Sequence, residues 1–167
     1  MNTIVQALSL LKPYDIDKSK VRIGPDTDGG YILADDISTA QSIISYGIGA
    51  EFRFDIEFAK KGHDVYMFDH TIQGIQAEDR RLHFFSEGVA GKTDIAKNLF
   101  SIEDHLDRHK ISGDHLILKM DVEGAEFDAL RAVPDNILRR FEQIVLEVHG
   151  LNRLDDPVFR ANFCDVF

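Results

Sequence analysis

The chain has 167 residues, enough for one domain built round one core. A formal net charge of −10 argues against a protein whose main task is gripping nucleic acid, because phosphate neutralisation needs clustered cations and the pairs Arg80-Arg81 and Arg139-Arg140 are no such cluster. No apolar run approaches the roughly 20 residues of a membrane span, the opening "MNTIVQALSLLKPYD" lacks the marks of a signal peptide, and the single Cys164 excludes an internal disulfide or a cysteine zinc site, so a cytoplasmic protein with an inert thiol is expected.

In chain order, residues 3–11 place Ile4, Leu8 and Leu11 on one face of a short amphipathic helix that Pro13 ends. In "KVRIGPDTDGGYILADD", β-like runs at 21–23 and 31–33 flank a turn rich in Gly, Pro and Asp, which predicts a hairpin. The helix and hairpin make up residues 1–38, and an α/β core follows over 39–167 within a single domain. Strands are expected at 42–46, 64–68, 82–85, 115–120 and 143–148. Helical patterns lie between them at 51–61, 95–110 with a break near Ser101, and 124–132. Strands that are apolar on both faces and alternate with helices predict a doubly wound, mostly parallel sheet, whose ligands bind beyond the C-terminal strand ends. The chain stops in what reads as the helix after the fifth strand, where such a sheet ordinarily continues. The expectation is therefore a C-terminally shortened domain lacking the last strands.

The candidate site residues fall at those strand ends. Gly47 and Gly49, in "SYGIGAEFRFD", let the backbone of a strand-to-helix turn approach a ligand. Asp69 closes the second strand, 22 residues after Gly47, where an acidic side chain accepts hydrogen bonds from a ribose. A diphosphate site would want a third glycine where Phe52 stands. Glu51 would repel a diphosphate and suits an amino-acid ammonium group, which favours S-adenosylmethionine over NAD. In "FSEGVAG", small residues with Glu87 beside Gly88 could shape a slot for an adenine ring. The fourth strand delivers Asp121 to the crevice, with Lys119 and, if the extension persists, Glu123 on the same side. Glu126 and Asp128 read as first-turn acids that favour the helix dipole. Glu147 and His149 alternate onto one face at the end of the fifth strand. A neutral imidazole beside a carboxylate is a candidate general base or metal ligand. Asp121, Glu123 and His149 are thus the candidate catalytic residues. A divalent cation held by these three is an open variant that the sequence does not require.

Together, "VRIGPDTDGGYIL", "SYGIGAEFRFD", "VYMFDHT", "EGVAG", "LKMDVEGAEFDAL" and "IVLEVHGL" resemble the FkbM-type S-adenosylmethionine-dependent methyltransferases over about residues 20–151. "LKMDVEGAE" is the most specific element. The resemblance implies a Rossmann-like class I methyltransferase fold and methylation of an oxygen, commonly on a small molecule or glycan. It places Gly47 and Gly49 against the methionine part of the cofactor, Asp69 on the ribose and Glu87, Gly88 and Val89 at the adenine. It also sets Asp121 at the reacting end, and Arg22 or Tyr31 near the entrance. An NAD-dependent oxidoreductase and a non-catalytic interaction domain are the alternatives. The acceptor and the oligomeric state are not legible in the chain.

Overall fold

The computed structural model describes residues 3–167. Five parallel strands form the central sheet: β3 (Ser42–Tyr46), β4 (Asp64–Phe68), β5 (Leu82–Phe85), β8 (Leu116–Met120) and β9 (Phe141–Leu146), in the spatial order β5-β4-β3-β8-β9. From β3 the chain steps outward through β4 and β5, then returns to pair β8 with the other side of β3. The sheet reverses its winding there, and the crevice above β3 and β8 is where such a fold binds ligands.

Alternation along the strands divides the core between the two faces. Ile44, Tyr46, Phe68, Leu118 and Met120 pack against α3 (Ile102–Arg108) and α4 (Glu126–Ala132). Ile43, Val65, Met67 and Ile117 pack against α2 (Arg53–Lys61) and against a hairpin of β1 (Lys20–Ile23) and β2 (Tyr31–Ala34). Both sheet faces are covered, as near-continuous apolar strands require. The hairpin is also tied to β9, because the Gln143 amide accepts from the Ala34 N–H at 2.8 Å and donates to its carbonyl at 3.1 Å.

Several predicted boundaries move for local reasons. The helix expected over 51–61 begins at Arg53, whose backbone N–H is taken by the Glu51 carboxylate at 3.0 Å. The pattern over 95–110 breaks into a 3-10 turn (Ile95–Lys97), the two-residue strand β7 (Leu99–Phe100) and α3, which Ser101 caps through the Asp104 N–H. Left-handed Asn98 (φ 56°) makes the break, and β7 pairs with β6 (Gly88–Val89) in a small parallel ladder that the sequence reading lacked. A short helix α5 (Asp135–Leu138) after Pro134 was also not expected.

The N-terminal helix α1 (Ile4–Leu8) forms, with a capping box between Thr3 and Gln6. Of its predicted apolar face only Leu11, in the 3-10 turn that follows, packs inward: Ile4 and Leu8 are exposed and Ala7 is the buried residue. Ala7 packs with Phe127, Leu154 and Phe163, the last from helix α6 (Pro157–Val166), so close approach to a neighbouring element decides which side is covered.

Candidate active site

A cleft of about 350 Å³ opens over the ends of β3, β4 and β8. Gly47, Gly49, Glu51, Asp69, Gly88, Val89, Asp121 and Glu123 line it together with Asp28, Gly29 and Phe68. Seven of the eight residues proposed as cofactor-binding are therefore gathered in one place, and Glu87 is the exception.

Gly47 (φ +76°) is the position where close approach dictates the residue: a Cβ there would overlap the carbonyl oxygen of Asp121. The contact brings the β3 and β8 termini together, reinforced by the Asp121 N–H donating to the Tyr46 carbonyl at 3.0 Å. Asp69 ties down the turn. One carboxylate oxygen accepts from the Ile48 and Gly49 N–H groups, each at 2.9 Å, and the other from the Thr71 N–H and hydroxyl at 2.8 and 2.6 Å. Burial raises its proton affinity, but the bonds from Thr71, Gly49 and Ile48 outweigh this and hold the carboxyl below its ordinary value. These bonds fill its acceptor sites, so a ribose hydroxyl would have to share or displace one of them. Glu51 also has a partner already: Arg53 donates to both of its oxygens, at 2.8 and 2.9 Å through Nε and 2.5 Å through Nη2.

Lys119 and Tyr31 set the position of Asp121. Lys119, buried in β8, donates to the carbonyls of Tyr46 and Gly47 at 3.3 and 2.5 Å and stands 3.8 Å from Asp121 Oδ2. Tyr31, at the start of β2, donates its hydroxyl to the same oxygen at 3.0 Å. Burial lowers the Lys119 ammonium from its ordinary value, while Asp55 below and Asp121 above oppose the shift. Burial and the Asp121 charge push the Tyr31 phenol up, so it stays a donor at all ordinary pH. Asp121 Oδ1 is left facing His149, whose Nε2 is 3.6 Å away.

The strand does not persist to Glu123. It ends at Met120, and the chain turns through Glu123 (φ 53°) and Gly124 (φ 107°). This aims the Glu123 carboxylate at the cleft mouth, 3.5 Å from His149 Nε2.

Glu126 does more than favour a helix dipole. It is fully buried, and its two oxygens accept from the Gly124 N–H at 2.7 Å and the His149 N–H at 2.9 Å, binding the β8 turn to the β9 terminus. Removing it takes the acceptor from two part-buried N–H groups and empties a fully buried side-chain site, and Glu126→Ala should destabilise the protein by about 2 kcal/mol, read from denaturant unfolding. Glu126→Gln, which keeps an acceptor, should cost clearly less.

A family model described as a methyltransferase FkbM domain matches residues 31–161. The chain belongs to the FkbM methyltransferase family. No curated protein and no solved structure matches it. The resemblance seen in the strand-end motifs and the class of fold are both in accord with that membership.

In this FkbM domain Glu87 faces away from the cleft. Its carboxylate accepts from Arg108 at 3.1 Å and lies 2.8 Å from His109 Nε2 and 3.4 Å from His105 Nε2, all on or beside α3. Of the three residues expected at an adenine, Gly88 and Val89 line the cleft and Glu87 does not. His105 is wholly buried between Tyr46, Phe68 and Phe100, and burial pushes its imidazolium down to about 4 against the pull of Glu87. A histidine with a lowered folded value binds fewer protons folded than unfolded. Its contribution to stability is intact above about pH 6.5 and is lost as pH falls toward 4. Relative to His105→Gln, the natural protein should lose up to about 3 kcal/mol between pH 7 and pH 4 in urea unfolding. Taking the difference between the two proteins removes the opposing contribution of buried Asp55, whose carboxyl burial pushes up to about 6.

Sequence reasoning passed over Asp28, took Glu126 only as a first-turn acid, noted Lys119 only for its side of the strand, and set Tyr31 merely near the entrance. Lys119 carried a signal: it is the one charged residue in the strand "LILKM". Tyr31 and Asp28 carried none, because only the docking of the hairpin brings them to the crevice.

Proposed function

We propose that this FkbM domain is an S-adenosylmethionine-dependent methyltransferase acting on a hydroxyl of a small molecule or glycan. The observation that carries the reading is the charge of the cleft. Asp28, Glu51, Asp69, Asp121 and Glu123 line it, and among the described residues its lining holds no Lys or Arg. A diphosphate cofactor would meet net repulsion, whereas a sulfonium with an α-ammonium group carries the complementary charge.

The order of the strands supports the same cofactor. Spatially adjacent β3, β4 and β5 lead into the Gly47 turn, Asp69 and the Gly88–Val89 segment respectively. A polar amino-acid end, a ribose and an apolar adenine slot beside Phe68 and Val89 follow in that sequence. When bound, the sulfonium supplies an already activated methyl group. The protein's part is alignment and proton removal. Asp121, fixed by Tyr31 and Lys119, orients the acceptor, and His149 stands where the hydroxyl proton leaves.

Titration calorimetry with S-adenosylmethionine and S-adenosylhomocysteine tests the cofactor. Stoichiometric binding of both is expected, with no heat from NAD. Binding of NAD and not of S-adenosylmethionine would overturn the reading in favour of an oxidoreductase. Mass spectrometry of products from candidate acceptors then identifies the methylated group.

A further inference from the structure

His149 is unusual in its surroundings. Four carboxylates converge on one imidazole: Asp121, Glu123 and Glu147 lie 3.6, 3.5 and 3.6 Å from Nε2, and Glu126 lies 3.4 Å from Nδ1. Yet neither ring nitrogen makes a hydrogen bond among the described residues, and Nδ1 is buried without a partner. The imidazole is 19% exposed, with Nδ1 buried and Nε2 open toward the cleft mouth. Lys119, the cation beside Asp121, is already committed to two backbone carbonyls and touches Asp121 on its other oxygen.

From these facts we infer that Asp121 Oδ1, Glu123 and His149 Nε2 form a divalent-cation site at the mouth of the cleft. One ligand atom from each residue lies within 4.8 Å of the other two. Adjacent ligands about 2.1 to 2.4 Å from a shared cation stand roughly 3.0 to 3.4 Å apart, so the 3.5 and 3.6 Å round Nε2 are too long for good hydrogen bonds and need only a small side-chain shift to close on an ion. Two carboxylates with one imidazole suit Mg²⁺ or Mn²⁺, which keep several positions for water or substrate oxygens.

The surrounding residues hold the three ligands in place. Tyr31 occupies Asp121 Oδ2 and leaves Oδ1 free. Glu126 anchors the His149 backbone and faces Nδ1, the arrangement by which a carboxylate orients a metal-binding imidazole. Left-handed Glu123 turns its carboxylate, which stays exposed, toward the mouth and His149.

A cation there would bind the acceptor oxygen directly and lower its pKa, so that the proton passes to solvent water at the open mouth, with His149 serving as ligand instead of base. Cation binding stands on the geometry alone and does not depend on the methyl-transfer reading; only this consequence for the acceptor rests on it.

The test is Mn²⁺ binding to the intact, chelator-treated protein, without S-adenosylmethionine or acceptor. Electron paramagnetic resonance should show saturable binding of one Mn²⁺ that Mg²⁺ displaces, with a nitrogen modulation from a directly bound imidazole. Glu123→Gln and His149→Ala should each weaken binding about tenfold or more, and His149→Ala should erase the nitrogen signal. Glu142→Gln, far from the cleft, should change neither. Absence of saturable binding would overturn the inference, as would Mn²⁺ bound without the nitrogen signal in the natural protein, a result independent of how the variants fold. Failure here would leave S-adenosylmethionine binding by calorimetry unaffected, so the two readings fail separately.

Discussion

Gly47→Ala is expected to remove roughly 4 kcal/mol or more of stability, or to prevent folding, whereas Gly49→Ala should cost only about 1 to 2 kcal/mol. Both glycines are left-handed, and both line the same cleft. They differ in what a methyl group would meet. At Gly47 it would overlap the Asp121 carbonyl, a backbone atom fixed by the pairing of β3 with β8, while at Gly49 nothing lies within 4 Å. The backbone preference is therefore common to both, and the steric overlap belongs to Gly47 alone. Soluble yield and denaturant unfolding of the two variants measure the difference. A Gly47→Ala protein within 1 kcal/mol of the natural one would show that the β3 and β8 termini are not held together as described.

The second large effect concerns Asp121. On the proposed reading, Asp121→Asn should lower the rate of methyl transfer about 100-fold or more, with S-adenosylmethionine affinity changed only a few-fold. Asparagine keeps an oxygen for the Tyr31 hydroxyl and nearly the same shape, so the fold and the cleft should persist. The negative charge between Lys119 and His149 is lost. Single-turnover kinetics with an acceptor identified by product mass spectrometry, read beside calorimetry, separate chemistry from binding. An unchanged rate would remove Asp121 from the chemistry and return the crevice to a purely structural role.

Much of this site could be read without coordinates because it sits at strand ends. Five strands announced themselves as apolar runs, and a parallel α/β sheet sends its ligands to the C-terminal ends of such strands. Gly47, Asp69 and Asp121 could thus be assigned to one crevice from their places in the chain. The short-range pattern also marked His149 and Glu147 as neighbours on one face. The family motif "LKMDVEGAE" pointed to the same strand end.

Orientation was decided by tertiary structure. Glu87 and Glu123 look alike as exposed acids after a strand, but α3 supplies Glu87 with Arg108 and two histidines and turns it inward, while a left-handed backbone turns Glu123 toward the cleft. Glu126 followed the rule for a helix start and nevertheless became a buried brace, since the β9 terminus passes within reach of its second oxygen. Tyr31 meets Asp121 across 90 positions of sequence. Periodicity and capping act over a few residues, so they determined the sheet, its order of elements and the strand ends that bear carboxylates. The convergence of four acids on His149 joins β8, α4 and β9, and only packing of the whole chain could bring it about.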